Sequence, residues 1–333
     1  MGKTNAETIT WYLENAELVA IAGGSRAQAL AEQYGVCSEP SAEALLARSD
    51  IDAVMISTPH ACHASEAVLA ARSGKHILLD KPMATTVEDC DRILDAVRAA
   101  RVKLMIMYGQ RFRICNMEAH RLIGEGAIGK VRAILELQLA SGGLKSLPPW
   151  QSLRENCGTF LGHAVHNIDR IRWLSGAEIT SVSAQVHRDP ANGNEVSTMA
   201  LLGLTSGAMA TLWESWDVPA PLFPRTSSGA YIVGESGCLD LDAYGELRLN
   251  QGGEWKVVAR QEPIDWQGQG MLAPVRMKSY QMQHQEFINS ILEDRAPSVT
   301  GDDGRAAVEV AAAAYRAATE NSTIQLQQPV ASR

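Results

Sequence analysis

Between Ile51 and Thr86 the chain is built of apolar and polar blocks whose spacing organises everything around them. Ala53-Val54-Met55-Ile56 is an unbroken apolar run that ends in Ser57-Thr58-Pro59. A helical period follows, with Ala64, Ala67, Val68 and Ala71 on one face, and it stops at Gly74. A second apolar run, Ile77-Leu78-Leu79, ends in Asp80-Lys81-Pro82. Strand, helix and strand within about 30 residues predict a crossover between parallel neighbours. Unbroken apolar runs predict strands covered on both faces. Ligands of such sheets bind at the carboxyl ends of the strands. Thr58-Pro59-His60 and Asp80-Lys81-Pro82 fall there, and a lysine fixed between a buried strand and a proline is a candidate for chemistry.

The same grammar extends to both sides. Residues 6–14 read as a helix ending, Glu17–Ala22 as a strand, and Gly23-Gly24-Ser25-Arg26 as its turn. Helices are predicted from Ala27 to Tyr34, closed by Gly35, and from a Ser41 cap to Arg48. Thr86 opens another helix through Ala100, with carboxylates in its first turn, and Val102–Met107 is the next strand. Alternating elements with short connections predict a doubly wound, Rossmann-type sheet. After Arg113 the period changes. A helix around Met117–Glu125 leads to Val131–Ala140, whose alternation suits a half-exposed strand. A loop rich in Gly and Pro (141–150) and a helix (160–175) come next. Short alternating runs then appear at 179–187, 197–204, 208–217, 230–234, 238–241, 246–249 and 255–260. Helices at Ser279–Leu292 and Gly304–Glu320 close the chain. The fold expected is a doubly wound domain over residues 1–113, then an α+β domain with a mostly antiparallel open sheet over 114–333.

Bulk properties narrow the function classes. A chain of 333 residues suits two domains. A net charge of −8 without a basic run argues against a nucleic-acid partner. No apolar segment reaches the roughly 18 residues of a membrane span, and the N-terminus lacks a signal-peptide core. The six cysteines (37, 62, 90, 115, 157 and 238) show no zinc spacing. They read as buried free thiols of a cytoplasmic protein.

These residues resemble the glucose–fructose oxidoreductase / inositol dehydrogenase (Gfo/Idh/MocA) family over nearly the whole chain. Asp52-Ala53-Val54 through Thr58-Pro59, His63, Gly74-Lys75-His76 through Asp80-Lys81-Pro82, Arg111-Phe112 and Gly158–Trp173 carry the resemblance, the last including His166-Asn167-Ile168-Asp169. It implies an NAD(P)-dependent enzyme acting on a sugar, a cyclitol or a related alcohol. Three departures stand out. The family opens with a strand running into a GxGxMG turn, of which Met1-Gly2 match the last two positions; the first strand and two glycines are absent. The doubly wound domain is therefore expected to be incomplete. Either the strand lies upstream of this sequence or dinucleotide binding has been lost. Gly23 stands where an acid would bind the ribose 2′-hydroxyl, and Ser25-Arg26 suit a 2′-phosphate, which favours NADP over NAD. Gly162 stands where the family often has an aspartate four residues before the histidine of H-x-x-D.

Hydride transfer from an alcohol needs a base for the hydroxyl proton and a cation beside the developing alkoxide. The resemblance assigns the first to His166, whose proton can cycle at cellular pH, and the second to Lys81. His163, three residues earlier on the same expected helix face, is a candidate proton relay. Gly2, Ser25, Arg26, Thr58, Pro59, His60, Asp80 and Lys81 are the cofactor-side candidates. Asp169, Tyr280, Arg154 and Trp150 are the substrate-side candidates; Asp169 reads equally as an anchor of its helix, and Arg111 as a lining residue. Three ligands in line on one helix converge poorly on a tetrahedral cation, so no metal is expected. Alternatives are a cofactor-independent lyase or decarboxylase on the same scaffold, or a non-catalytic metabolite sensor. The broad antiparallel sheet suggests a homodimer or homotetramer, since the family commonly packs those sheets together.

Overall fold

The computed structural model describes residues 1–152, 156, 158–190, 193–224, 227–266 and 268–327. Two compact units emerge, residues 1–109 with 264–305, and residues 110–263 with 306–333. The boundary lies close to the expected Arg113, but the chain returns: 264–305, expected in the second domain, joins the first. The reason is packing, because the long helix in that segment covers the first helix and the central parallel strand of the first unit.

The first unit contains α1 (Gly2–Tyr12), β1 (Ala20–Ala22), α2 (Ala27–Tyr34), β2 (Cys37–Glu39), α3 (Ala42–Leu46), β3 (Ala53–Ile56), α4 (His63–Arg72), β4 (His76–Leu79), α5 (Val87–Ala100) and β5 (Leu104–Ile106). The expected caps are in place. Ser41 Oγ accepts the Ala44 N–H, Thr86 Oγ1 accepts the Asp89 N–H, and Gly35 ends α2 in the left-handed region at φ 66°. β3, β4 and β5 form a parallel sheet in that order, with β4 in the middle. Ile77, Leu78 and Leu79 are fully buried, as are Met105 and Ile106. β1 pairs in parallel with β2 alone. Among the described residues the parallel strands thus lie in two separate sheets rather than one. β1 is half-buried throughout and β3 alternates half-buried Ala53 and Met55 with buried Val54 and Ile56, unlike interior strands of a doubly wound sheet.

The second unit contains α6 (Ile114–Gly124), β6 (Val131–Leu139), α7 (Val165–Ser175), β7 (Ile179–Arg188), β8 (Glu195–Leu204), β9 (Met209–Ser215), β10 (Ser228–Gly234), β11 (Cys238–Asp242), β12 (Glu246–Asn250) and β13 (Lys256–Arg260). Helix α8 (Pro274–Leu292) belongs to the first unit; α9 (Gly301–Glu320) and β14 (Ile324–Gln325) complete the chain. The sheet has nine strands in the order β13-β12-β11-β10-β6-β9-β8-β7-β14. Among the described residues of this sheet, only the β6–β9 pair is parallel. One face is covered by α6 and α7. The other leaves Leu135, Met199, Leu201 and Met209 exposed, each by 45% or more.

Beneath that sheet lies a buried ion pair. Arg170 on α7 and Glu136 on β6 are both fully buried and hydrogen-bonded to each other, and Asn167 Nδ2 donates to Glu136 Oε1 at 2.6 Å. Burial pushes the Glu136 carboxyl above its ordinary range, opposed by the Arg170 charge and the Asn167 amide. The pair registers α7 on the sheet, since any slide or rotation would separate two charges that water cannot reach.

Candidate functional site

At the carboxyl end of β4 the backbone of Lys81 is held on both sides. Its N–H donates to Asp80 Oδ1 at 2.8 Å, and the Asp80 N–H donates to the Ile56 carbonyl at 2.9 Å. The Lys81–Pro82 peptide bond is cis. The Pro82 carbonyl oxygen lies 2.8 Å from Nδ1 of His63, and Met83 and Ala84 beyond it are fully buried. His63 Nε2 reaches the Thr58 carbonyl at 3.0 Å. Thr58 Oγ1 donates to Glu66 at 2.7 Å; burial pushes the Glu66 carboxyl up, while the Thr58 hydroxyl and the nearby His63 oppose the shift. The two strand-end loops expected to carry chemistry are therefore neighbours joined through one side chain. His60 is buried, its ring 5.7 Å from that of His63.

At the carboxyl end of β1, Gly23 and Gly24 take φ of 79° and 74°, a turn that side-chain-bearing residues avoid. They leave Ser25 and Arg26 exposed at the start of α2. Helix α1 begins at Gly2 with no side chain capping its first turn, so N–H groups there are available to an anion. Asn5, buried in that turn, donates to Ser57 Oγ at 2.7 Å, while its Oδ1 has no partner among the described residues. An uncapped helix start and a hydroxyl–guanidinium turn fit the diphosphate and the ribose end of a dinucleotide. Tyr280 lies on α8 in this same unit, and its hydroxyl accepts from Arg276 at 2.9 Å. The Arg276 guanidinium stacks 4.9 Å from the Trp266 ring.

His166 lies in the second unit, near the start of α7. The helix there is not regular: Phe160–Ala164 form a π-helical turn, a feature frequent at functional sites. The expectation of a plain helix over 160–175 misses it. His163 lies within that turn, whereas His166 lies in the regular helix that follows. His163 packs against Trp216, ring centroids 4.8 Å apart. Glu195, buried at the start of β8, caps the turn by accepting the Phe160 N–H at 3.1 Å. It also accepts the Thr198 hydroxyl and the Tyr315 hydroxyl, both at 2.6 Å. Gly158 is required beside it, because a Cβ there would stand 2.5 Å from Glu195 Oε2 in a backbone at φ 67°.

Asp169 is fully buried and receives Arg111 through Nε at 2.9 Å and Nη2 at 2.5 Å. Both carboxylate oxygens are thus engaged by one guanidinium. Trp150 is half-buried, and its carbonyl accepts from Asn156 at 2.9 Å. Arg154 lies outside the described residues. Sequence reasoning assigned no role to Glu195, Tyr315, Glu136 or Arg170, which hold the His166 helix. For Glu136 and Glu195 the signal is an acid interrupting or opening an alternating apolar run; Arg170 and Tyr315 carry no such mark.

The geometry can be set beside known proteins. Residues 1–108 match the oxidoreductase family with an NAD-binding Rossmann fold, and residues 120–326 match its C-terminal alpha/beta domain. An inositol 2-dehydrogenase of Rhizobium meliloti is 28% identical over 340 residues, covering 98% of this chain and 96% of the relative. A 2,7-anhydro-N-acetylneuraminate hydratase of Mediterraneibacter gnavus is 25% identical over 355 residues, covering 95% and 91%. The crystal structure of a putative myo-inositol dehydrogenase from Sinorhizobium meliloti superposes with a TM-score of 0.81 at 26% identity, covering 98% and 96%. With both halves matched in order, the chain belongs to the Gfo/Idh/MocA family and is an NAD(P)-dependent oxidoreductase.

Proposed function

We propose that this protein transfers a hydride between a nicotinamide dinucleotide, NADP in preference to NAD, and a ring carbinol of a sugar, cyclitol or cyclic diol. The observation that carries the reading is the immobilised backbone of Lys81 at the end of the central strand, held by Asp80 before it and His63 after it. The nicotinamide supplies or accepts the hydride when bound. Lys81 presents its ammonium to the substrate oxygen and stabilises the charge that grows there. His166 takes the hydroxyl proton in oxidation and returns it in reduction, and His163 relays it. Arg26 and Ser25 hold the 2′-phosphate, and the start of α1 at Gly2 holds the diphosphate. Thr58, Pro59, His60 and Asp80 line the path to the nicotinamide. Asp169, with both oxygens on Arg111, anchors the His166 helix. Tyr280 and Trp150 contribute to substrate contacts, as does Arg154.

The names of two relatives, an inositol dehydrogenase and a hydratase of an anhydro sugar acid, support a polyhydroxylated ring as substrate. The exposed apolar face of the nine-stranded sheet, with Leu135, Met199, Leu201 and Met209 set around Trp213 and Tyr231, suits association of two or four copies. A cofactor-independent lyase is the second reading, favoured by Gly162 in place of a third catalytic group and by the split parallel sheet. A thermal-shift titration separates the two. NADPH at saturation is expected to raise Tm by on the order of 5 °C, NADH by less, and Arg26→Ala to abolish the difference. No shift with any of the four dinucleotides transfers the weight to the lyase.

A further inference from the structure

His63 is fully buried at the first position of α4, and both its ring nitrogens face carbonyl oxygens: Pro82 at 2.8 Å from Nδ1 and Thr58 at 3.0 Å from Nε2. A carbonyl oxygen only accepts. A neutral imidazole has one N–H, so in either tautomer one nitrogen would set a lone pair against a carbonyl in a place water cannot reach. With a proton on each nitrogen the ring satisfies both oxygens. Glu66, one turn along α4, is close enough to interact with it, and Thr58 bonds to Glu66 through its hydroxyl. The other titratable groups around it are His60 from the turn after β3, and Asp80 and Lys81 just before Pro82.

We infer that His63 is a positioning residue: a doubly protonated tether that ties the loop after β3 to the loop after β4 and so fixes the direction in which Lys81 leaves its strand. The carbonyl of Pro82 is one peptide unit from Lys81, whose N–H is already fixed by Asp80. Releasing the His63 bond frees a restraint on the backbone next to the lysine. The inference rests on Lys81 as the group acting on the substrate oxygen, and its test is arranged so that the two can fail separately.

The long-range proton–nitrogen spectrum of the ¹⁵N-labelled full chain, with His63→Gln for assignment, is expected to show both His63 nitrogens protonated at pH 7. One protonated and one bare nitrogen would overturn the tether. A single Gln amide cannot reach both carbonyls, so His63→Gln is expected to alter the rate of Lys81 acylation by acetic anhydride while leaving that of Lys75 unchanged. It is expected to lower kcat about a hundredfold, the scale of a small misplacement of a reacting group. His63→Asn serves if His63→Gln does not fold. Unchanged acylation of Lys81 and native kcat in a folded variant overturn the inference. Normal turnover by Lys81→Met with both ring protons present overturns the lysine's role and leaves the tether standing.

Discussion

Lys81→Met is expected to lose about a thousandfold in kcat while folding and binding its cofactor as the native chain does. The magnitude is that of removing one preorganised group from a developing charge. The structure makes this a clean test, because the fold around the residue is held by its neighbours. Asp80 takes the backbone N–H, and Met83 and Ala84 fill the core beyond. The side chain itself is half-buried rather than part of the fully buried core. Lys81→Arg is expected to restore little, since a planar guanidinium puts its charge elsewhere than a compact ammonium does. His166→Asn is expected to lose a similar factor by removing the proton acceptor. Steady-state turnover with dinucleotide affinity measured in parallel checks both. Near-native kcat in either variant ends that residue's assignment.

Arg170→Met is expected to give the largest loss of stability. It leaves Glu136 fully buried without its cation, a change that costs about 3–5 kcal/mol, or on the order of 10 °C in Tm for a unit of this size. Burial already pushes the Glu136 carboxyl up, and without Arg170 nothing but Asn167 opposes the shift. The variant's folded state then holds a proton that the unfolded chain has released above about pH 4. Stability relative to the native chain therefore falls as pH rises and recovers as pH falls. Glu136→Gln with Arg170→Met is expected to regain most of the loss, because a neutral amide can stay with Asn167. Calorimetry from pH 5 to pH 8 checks the sign. A Tm within about 2 °C of the native value would show that the pair does not register α7.

Much of the first unit was legible because its signals are local. Apolar runs at 53–56 and 77–79, the helix between them, the caps Ser41 and Thr86 and the stop at Gly35 all act within a few residues. β2 (Cys37–Glu39) escaped notice: three polar or half-exposed residues carry no period. The strand expected over 17–22 shrinks to Ala20–Ala22 because β1 finds a partner on one side only. Helix α8 starts at Pro274 rather than near Ser279, since proline suits a first turn that apolar spacing does not mark. In the second unit the alternating runs gave the strands, but not their order. Pairing β6 with β9 in parallel is a long-range choice with no local signature.

The candidate residues divide the same way. Lys81 was legible from its place between a strand and a proline. The spacing of His166 and Asp169 was legible through the resemblance. The π turn before them was not, because it depends on Glu195 and Tyr315 from distant segments. The engagement of Asp169 by Arg111, 58 positions away, was also invisible in the spacing. His63 was noticed as a marker of the family, while its two carbonyl partners appear only once the strand ends are brought together.

Hydride transfer itself is the most direct thing to measure. NADPH and NADH carrying deuterium at the transferable position of the nicotinamide would be incubated with the full chain and a panel of inososes and keto sugars. The products would be read by mass spectrometry, with Lys81→Met as control. The expected result is deuterium on a ring carbon of at least one product, faster with NADPH, and reduced about a thousandfold in the control. Turnover of a panel member with no deuterium in the product, or deuterium transfer unaffected by the loss of Lys81, would contradict the account.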